Sequence, residues 1–290
     1  MQAFTIGGVP EHFNLPWHIA FENGVFQGKE YSLQWQDIPQ GTGAMCKMLR
    51  EETLDLAVVL TEGIVADIIK GNNARIVQQY VKSPLVWGIH TSYDAPYRNV
   101  EELEGKKFAI SRFGSGSHIM AYIEAHRRNW QTTPEQFVIV NTLQGGIDAL
   151  QHGTADIFLW EKYTTKPYVD AQVLRRVGEC ITPWPCFMLV ASEKMIRENY
   201  FALEDIAKSI QQSCRAFMLN ENAIDMVAWR YKIEWRDAQN WFNQTEWAVS
   251  NRMATKMLQN VINTLYNVGI IPNKIAPAGV CSSLCKLDVE

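Results

Sequence analysis

The chain has 290 residues, of which 47% are hydrophobic and 20% are charged, and this composition excludes intrinsic disorder, collagen and coiled coil. Lysine and arginine total 27 against 31 aspartates and glutamates, a net charge of −4, so we expect no nucleic-acid partner. The length fits about two domains, and a chain of this size buries enough surface to fold without disulfides or metals.

Strands and helices alternate through the first part of the chain. A strand over residues 4–6 runs into Gly7, and the next helix has Pro16 in its first turn and ends near Gly24. The pattern then predicts, in order, strand 31–38, a helix from Gln40 to about Glu52, buried strand 55–60, helix 63–70, and strands 75–81 and 85–91. This alternation is typical of βαβ units and predicts a parallel sheet.

The same order of elements returns in the second part of the chain. The predicted elements are a short helix over 100–103, strand 107–110, a long helix from Gly114 to about Asn129, strand 137–140, a helix opening at Gly145, and strand 156–160. Both parts have a leucine, five residues and an aspartate before a buried strand: Leu49 and Asp55, then Leu150 and Asp156. This internal repeat predicts two similarly built lobes.

After a last predicted strand at 186–191, the character of the chain changes. Residues 193–266 predict four or five helices, several of them rich in tryptophan. We expect the tryptophans of these helices to pack within the protein: Trp229, Trp235, Trp241 and Trp247. The tail from Gly269 contains Pro272 and Pro277 and predicts an irregular, partly disordered segment.

The first residues and the cysteines bear on the compartment. The start of the chain has no basic n-region, apolar h-region or cleavage site, so we expect a cytoplasmic protein, or a periplasmic one if an export signal has been removed. The longest apolar runs have strand length and predict no membrane insertion. The six cysteines show no zinc-site spacing, and we expect reduced thiols, although Cys180 and Cys186 could bridge in an oxidising compartment.

The loops between strands and helices hold the candidate site residues. In open α/β sheets, ligands bind beyond the carboxyl ends of the strands, where helix N-termini present free N–H groups. The candidates in the first part of the chain are Glu11, His12, Phe13, Asn14, Gln40, Thr42, Thr61 and Glu62. Those in the second part are Arg112, Gly114, Ser115, Ser117, His118, Gln144, Trp160 and Glu161.

The loop from Ser111 to His118 is the most informative of these. Its glycines let the backbone approach a ligand, and its hydroxyl and N–H groups offer donors to a carboxylate, sulfonate or phosphate. Arg112 adds a fixed positive charge. The alternative is a helix N-cap in which glycine only serves the turn geometry. The chain has no Gly-x-x-x-x-Gly-Lys-[Ser/Thr] motif, which argues against a nucleotide P-loop.

The other candidates carry different chemistry, and each also has a structural interpretation. The two loop histidines could form hydrogen bonds with a ligand, and the three loop glutamates could pair with a cationic or amino-bearing one. Phe13 and Trp160 are candidates for stacking against a flat ligand. The chain lacks a compact histidine pattern and a Gly-x-Ser-x-Gly elbow, so we expect no metal, no cofactor and no catalytic residue.

Four short motifs follow one another along residues 4–190: Gly7-Gly-Val-Pro, Gln40-Gly-Thr-Gly43, Gly114-Ser-Gly-Ser and Ala149-Leu-Gln-His-Gly-Thr-Ala-Asp156. In this order the chain resembles the substrate-binding proteins of ABC importers for alkanesulfonates, nitrate and taurine. It is also similar to the related thiamine-pyrimidine-precursor group. No single motif is specific, and the resemblance rests on the ordered set.

The resemblance implies the type II periplasmic-binding-protein fold, an α/β fold of two lobes with parallel-rich sheets. Two crossing segments, near Thr91 and near Cys186, would form a hinge. Lobe one would be residues 1–91 plus 187–290, with the later helices packed on it, and lobe two would be residues 92–186. A ligand would lie in the cleft between the lobes, which would close over it.

Two hypotheses of function follow. The first is a binding protein without catalytic activity, whose ligand is a small organic molecule of the sulfonate, carboxylate or aminopyrimidine type. Its partner would be an ABC transporter or another protein. The alternative is an enzyme of thiamine-precursor or related cofactor biosynthesis on the same fold. The clustered-cysteine motif of the fungal thiamine-pyrimidine synthases is absent here, so their activity is not carried over.

Overall fold

The structure, a computed structural model, describes residues 2–288, and the chain divides into two compact units. Unit 1 combines Met1–Ser83 with Trp184–Glu290, and unit 2 is Pro84–Pro183. The sequence predicts lobe two at residues 92–186, whereas unit 2 begins at Pro84 and ends at Pro183. Both boundaries therefore come earlier in the chain than predicted.

The described residues form strands and helices in alternation. The strands are β1 (Gln2–Gly8), β2 (Tyr31–Asp37), β3 (Leu56–Leu60), β4 (Arg75–Val81), β5 (Val86–Ser92), β6 (Phe108–Ile110), β7 (Phe137–Ile139), β8 (Ile157–Glu161), β9 (Leu174–Ile181), β10 (Phe187–Ala191), β11 (Arg252–Ala254) and β12 (Lys286–Asp288). Of these, β9, β11 and β12 were not predicted, because β9 is rich in charge and the other two are very short.

The α-helices of the same residues begin within two residues of the predicted positions as far as residue 151, whereas the short helix at 166–170 was not predicted. They are α1 (Leu15–Glu22), α2 (Thr42–Arg50), α3 (Thr61–Ile69), α4 (Gly116–Arg127), α5 (Leu143–Gln151), α6 (Lys166–Asp170), α7 (Glu193–Glu198), α8 (Tyr200–Met218), α9 (Ala223–Tyr231), α10 (Trp235–Gln244) and α11 (Thr255–Asn267). Over residues 2–288, no helix is long and apolar enough to cross a membrane.

The sheet of unit 1 has the strand order β2-β1-β3-β10-β4. Strand β1 pairs in parallel with β2 and β3, whereas β10 runs antiparallel between β3 and β4. Strands β3 and β10 are buried along almost their whole length. Their continuous apolar sequences are typical of strands that are covered on both faces.

The sheet of unit 2 has the order β7-β6-β8-β5-β9. Strand β6 pairs in parallel with β7 and β8, and β5 runs antiparallel to β8 and β9. The prediction of parallel-rich sheets is confirmed, because four of the five strands in each sheet run in the same direction. Both sheets are mixed, because each contains one strand, β10 or β5, that runs against its neighbours.

At one edge of each sheet lie the carboxyl ends of three adjacent parallel strands. In unit 1 these are the ends of β1, β2 and β3, together with the start of β10, where Phe187 pairs with Leu60. In unit 2 they are the ends of β6, β7 and β8, together with the start of β5, where Trp87 pairs with Glu161. Helices α2, α3, α4 and α5 follow β2, β3, β6 and β7 along the chain. The predicted site loops therefore lie at these carboxyl edges.

The C-terminal part of unit 1 is ordered as far as residue 288. Helix α8 packs on α1, and α11 packs on α3. Strand β12 pairs in parallel with β11. The backbone of Cys281 forms an isolated parallel β-bridge with Ile76 of β4. The prediction of a partly disordered tail is therefore wrong here. The pairing partners that order the tail lie far from it in sequence, so local composition does not reveal them.

Candidate functional site

The loop after β1, at the carboxyl edge of unit 1, is held at one carbonyl group. The Phe13 carbonyl oxygen accepts hydrogen bonds from Tyr80 Oη at 2.9 Å and from Trp247 Nε1 at 3.0 Å. Asn14 Nδ2 donates to the Val9 carbonyl oxygen at 2.8 Å. The conformation of this loop therefore depends on two aromatic residues that are distant in sequence.

His12 lies inside an aromatic cluster in the same loop. Its ring stacks on Phe13 with 4.8 Å between ring centroids, and it meets Trp241 and Tyr231 edge-on at 4.3 and 6.0 Å. Burial lowers the pKa of His12 to about 3, so the ring is neutral at physiological pH. Glu11, its neighbour, is half-buried. A neutral imidazole can exchange hydrogen bonds with a ligand but brings no charge.

Trp241 of α10 and Tyr231 of α9 bring two further polar groups to this cluster. Among the described residues, neither Trp241 Nε1 nor Tyr231 Oη has a hydrogen-bond partner, although both atoms are buried. A buried polar group without a partner costs about 1–3 kcal/mol, so a polar ligand group here would be favoured. The sequence predicts only a packing role for Trp241, because its contact with His12 leaves no local signal.

Glu62 lies in the first turn of α3 and is fully buried. Its Oε2 accepts a hydrogen bond from Trp184 Nε1 at 2.8 Å, whereas Oε1 has no partner within residues 2–288. Burial raises the pKa of Glu62 to about 7, in spite of the opposing effect of the Trp184 hydrogen bond. The carboxyl group therefore changes charge near neutral pH.

The two candidate threonines at this edge serve the fold. Thr42 Oγ1 accepts a hydrogen bond from the backbone N–H of Leu60 at 3.0 Å, and Thr61 Oγ1 donates to the carbonyl oxygen of Pro185. Both side chains are buried, and Gln40, which precedes α2, is exposed. The Thr42 hydroxyl thus links the end of β3 to α2, and the Thr61 hydroxyl links the start of α3 to Pro185.

The predicted loop of unit 2 is organised by three serine hydroxyls. Ser115 caps α4, where its Oγ accepts from the backbone N–H of His118 at 3.3 Å. Ser117 Oγ accepts from the backbone N–H of Ser111 at 3.0 Å. It also lies 3.4 Å from Ser111 Oγ and 3.1 Å from Ser115 Oγ. These hydroxyls hold the loop in shape, which agrees with the N-cap interpretation of the sequence.

The same loop presents cationic and N–H groups. His118 Nδ1 accepts a hydrogen bond from the backbone N–H of Gly114 at 3.0 Å, so Nε2 carries the proton in the neutral ring. Gly114 has a φ of +78°, in the region that favours glycine. Arg112 is half-buried. An arginine in the loop that precedes a helix N-terminus suits an anionic ligand.

Phe113 is an aromatic residue of this loop that is not among the predicted site residues. It is 52% exposed, whereas Phe13 is 4% exposed. Trp160 is half-buried and packs against Phe158 at 5.2 Å. The Phe113 ring meets His118 edge-on at 5.1 Å and keeps an accessible face for a flat ligand. Its place inside the Gly/Ser loop is the signal that could have identified it.

Glu161 and Gln144 form hydrogen bonds with residues two to four positions further along the chain. Glu161 Oε2 accepts from the backbone N–H groups of Tyr163 and Thr164 at 2.9 and 2.7 Å, and from Thr164 Oγ1 at 2.8 Å. Burial raises the pKa of Glu161. Gln144 Nε2 donates to Asp148 Oδ1 at 2.8 Å along α5. Both side chains thus stabilise the segments that carry them.

Replacing Ser117 with Ala is expected to lower the free energy of unfolding by about 1–3 kcal/mol, because the buried N–H of Ser111 loses its acceptor. Urea unfolding measures the change. Ser213→Ala is the matched control, since its hydroxyl only donates to the Ser209 carbonyl within α8. Equal effects of the two substitutions would contradict the role given to Ser117.

The two carboxyl edges differ in chemistry. Unit 1 offers the Glu62 carboxyl and the neutral His12, and unit 2 offers Arg112 and the exposed Phe113. Within residues 2–288, no group of three or more His, Cys, Asp or Glu side chains is placed to hold a metal ion. The groups present suit recognition of an organic molecule by hydrogen bonds, charge and stacking.

Comparison with known proteins identifies the fold. A family model described as Ca3427-like PBP matches residues 87–180. The solved structure of the CA3427 gene product of Candida albicans, described as having the generic periplasmic binding protein structural fold, is 22% identical. It superposes with a TM-score of 0.87, covering 100% of this chain and 99% of that one. The chain has the type II periplasmic-binding-protein fold.

Two sulfonate-binding proteins share this periplasmic-binding-protein fold. The periplasmic aliphatic sulphonate-binding protein SsuA from Escherichia coli is 15% identical, with a TM-score of 0.71 over 98% of this chain and 99% of that one. The alkanesulfonate-binding protein SsuA from Xanthomonas axonopodis pv. citri, bound to MOPS, is 12% identical, with a TM-score of 0.79 over 97% and 98%. No curated protein matches by sequence. The predicted fold is confirmed.

The family match covers one part of this periplasmic-binding-protein fold. Residues 87–180 include the unit 2 candidates from Arg112 to Glu161. The candidates of unit 1, such as His12 and Glu62, lie outside the matched segment. The match therefore bears on the Gly/Ser loop of unit 2 and on the strands around it.

Proposed function

We propose that this chain binds a small organic ligand that contacts the carboxyl edges of both units, and that binding favours a closed state through a hinge motion. The sulfonate-binding proteins that share the fold support this function. The observation that carries it is Glu62, whose buried Oε1 has no hydrogen-bond partner among the described residues. A hydrogen-bond donor on a ligand would give this oxygen a partner.

The side chains favour a ligand with two chemically different ends. Arg112 and the N–H groups at the start of α4 suit a sulfonate or carboxylate. Glu62 suits an amino group or a ring N–H, and Phe113 suits a flat ring. We therefore expect an aminopyrimidine or an amino-bearing anion to bind more tightly than a simple alkanesulfonate. An ABC transporter as partner stays a prediction.

A thermal-shift screen with sulfonates, nitrate, aminopyrimidines and pyridoxal phosphate tests the proposal. A true ligand at 100 times its dissociation constant should add about 2.7 kcal/mol of stability. Glu62→Gln and Arg112→Ala should each reduce this gain, because each removes one contact to the ligand. Arg197→Ala is the matched control, since Arg197 is exposed and pairs with Glu198 on α7.

The outcomes separate the two hypotheses of function. Recovery of the ligand unchanged supports a binding protein. Turnover, or absorbance of bound pyridoxal phosphate in the visible range, supports the enzyme. If no compound shifts the melting temperature, or if the substitutions at Glu62 and Arg112 leave every shift unchanged, the assignment of the site is wrong.

A further inference from the structure

Strand β9 of unit 2 contains two adjacent arginines whose side chains have different surroundings. Arg175 Nη1 donates to the carbonyl oxygens of Ala95 and Tyr97, each at 3.3 Å, and the Arg175 guanidinium lies 4.8 Å from the centre of the Tyr93 ring. Arg176 Nη1 is buried and, among the described residues, has no hydrogen-bond partner. Successive side chains of a strand point to opposite faces of the sheet, so the two arginines lie on different faces.

The strand pairing places Arg176 on the same face of the sheet as Trp160. Arg176 lies directly opposite His90 of β5, and Gly88, two residues before His90, lies directly opposite Trp160 of β8. Residues that are opposite each other in an antiparallel pair share a face, as do residues two apart in one strand. A Cβ atom at Gly88 would clash with the His90 ring and would lie 3.2 Å from Arg176 Cδ. The Arg176 side chain therefore extends over Gly88, toward the carboxyl edge of unit 2 at the start of β5.

The charged neighbours of Arg176 neutralise its guanidinium only in part. Glu179 Oε1 lies 2.9 Å from Lys162 Nζ and 3.6 Å from Arg176 Nε, so two cations share one carboxylate. His90 adds no charge at physiological pH, because burial lowers its pKa to about 4. A buried donor on a charged group costs more free energy without a partner than a neutral donor does. An anionic acceptor at Arg176 Nη1 would therefore be favoured.

We propose that Arg176 is a further ligand-binding residue of unit 2, whose Nη1 donates to a carboxylate or sulfonate group on an aromatic ring that packs against Trp160. The Arg176 side chain is 23% exposed, which leaves a route to it from solvent. The Trp160 indole is half-buried and keeps part of its surface for a flat ring. This inference rests on the proposed function, because it adds a contact for the anionic end of the same ligand.

The test uses benzoate and benzenesulfonate as probes, and benzamide as an uncharged analogue, all at constant ionic strength. Each anion should raise the melting temperature of the full-length protein in a saturable way, and benzamide should not. Arg176→Gln should weaken the binding of both anions by about tenfold or more, because it removes a charged donor, and Arg176→Lys should restore part of the affinity. Arg175→Gln is the matched control, since Arg175 is the next residue in β9 but lies on the other face, and it should bind as the wild type does.

Side-chain ¹⁵N NMR of the wild type gives a second measurement, which does not depend on how well Arg176→Gln folds. The guanidinium signals of Arg176, assigned through Arg176→Lys, should shift when benzoate is added, whereas those of Arg175 should stay in place. Unchanged Arg176 signals at saturating benzoate would overturn the inference.

The outcomes for Arg176 are distinguishable from those for the proposed function. Binding that survives Arg176→Gln and is lost in Arg112→Ala would assign the anion to the α4 loop, which overturns this inference and leaves the proposed function standing. If neither anion shifts the melting temperature, the inference is wrong, whereas a ligand found in the wider screen would still support the proposed function. Equal losses in Arg176→Gln and Arg175→Gln would also contradict the role given to Arg176.

Discussion

Replacing Glu62 with Gln is expected to raise the free energy of unfolding by up to ~3 kcal/mol above pH 7 and to change it little in acid. Burial raises the pKa of Glu62 from 4.5 to about 7 in the folded protein. The folded state thus keeps a proton that the unfolded chain has already lost. The stability that this proton provides is present below pH 4.5 and is lost as the pH rises through 7, whereas Gln has no charge to bury.

Urea unfolding from pH 4 to pH 8 measures this difference. His12 and His90 act in the opposite direction, because burial lowers their pKa values to about 3 and about 4. Their contribution is present above pH 6.5 and is lost as the pH falls, and it is common to all variants. Glu104→Gln, which changes an exposed carboxyl, should follow the wild type. Parallel curves for all three proteins would contradict the assignment to Glu62.

The framework of both units is readable from local sequence. The continuous apolar run of β3 predicts a buried strand, and the Gly/Ser loop at 111–118 allows a helix N-cap, which Ser115 provides. Such signals need only a short window of residues, because backbone hydrogen bonding in helices and caps is local. The carboxyl edges and the loops along them could therefore be placed before the structure was known.

The partners of the site residues could not be placed in this way. Trp184 donates a hydrogen bond to Glu62, which lies 122 positions earlier in the chain. Trp241 packs on His12 from a helix whose sequence gives no indication of this contact. The same holds for the tail, where Cys281 meets Ile76 of β4. A single sequence records the composition of each segment but not which distant segment it contacts.

Trp247 shows how such a distant residue shapes the candidate site. It is fully buried, and its Nε1 reaches the Phe13 carbonyl across 234 positions. Its ring lies edge-on to Phe217 at 5.2 Å and to Trp241 at 5.6 Å. One side chain thus joins the loop after β1 to the helices α8 and α10. The sequence interpretation of Trp247 as a packing residue covers only part of this role.

Trp247→Ala is expected to lower the free energy of unfolding by about 3–5 kcal/mol, because it leaves a large cavity among α8, α10 and the loop after β1. Trp247→Phe keeps most of the ring and removes the donor to Phe13, so about 0.5–1.5 kcal/mol should be lost. The packing role expected for Trp229 from the sequence is wrong, since its side chain is 82% exposed. Trp229→Ala is therefore the matched control and should change stability little. Urea unfolding ranks the three, and hydrogen exchange at residues 9–14 should rise in both Trp247 variants. If Trp247→Ala is no worse than Trp229→Ala, the β1 loop is not anchored by this tryptophan.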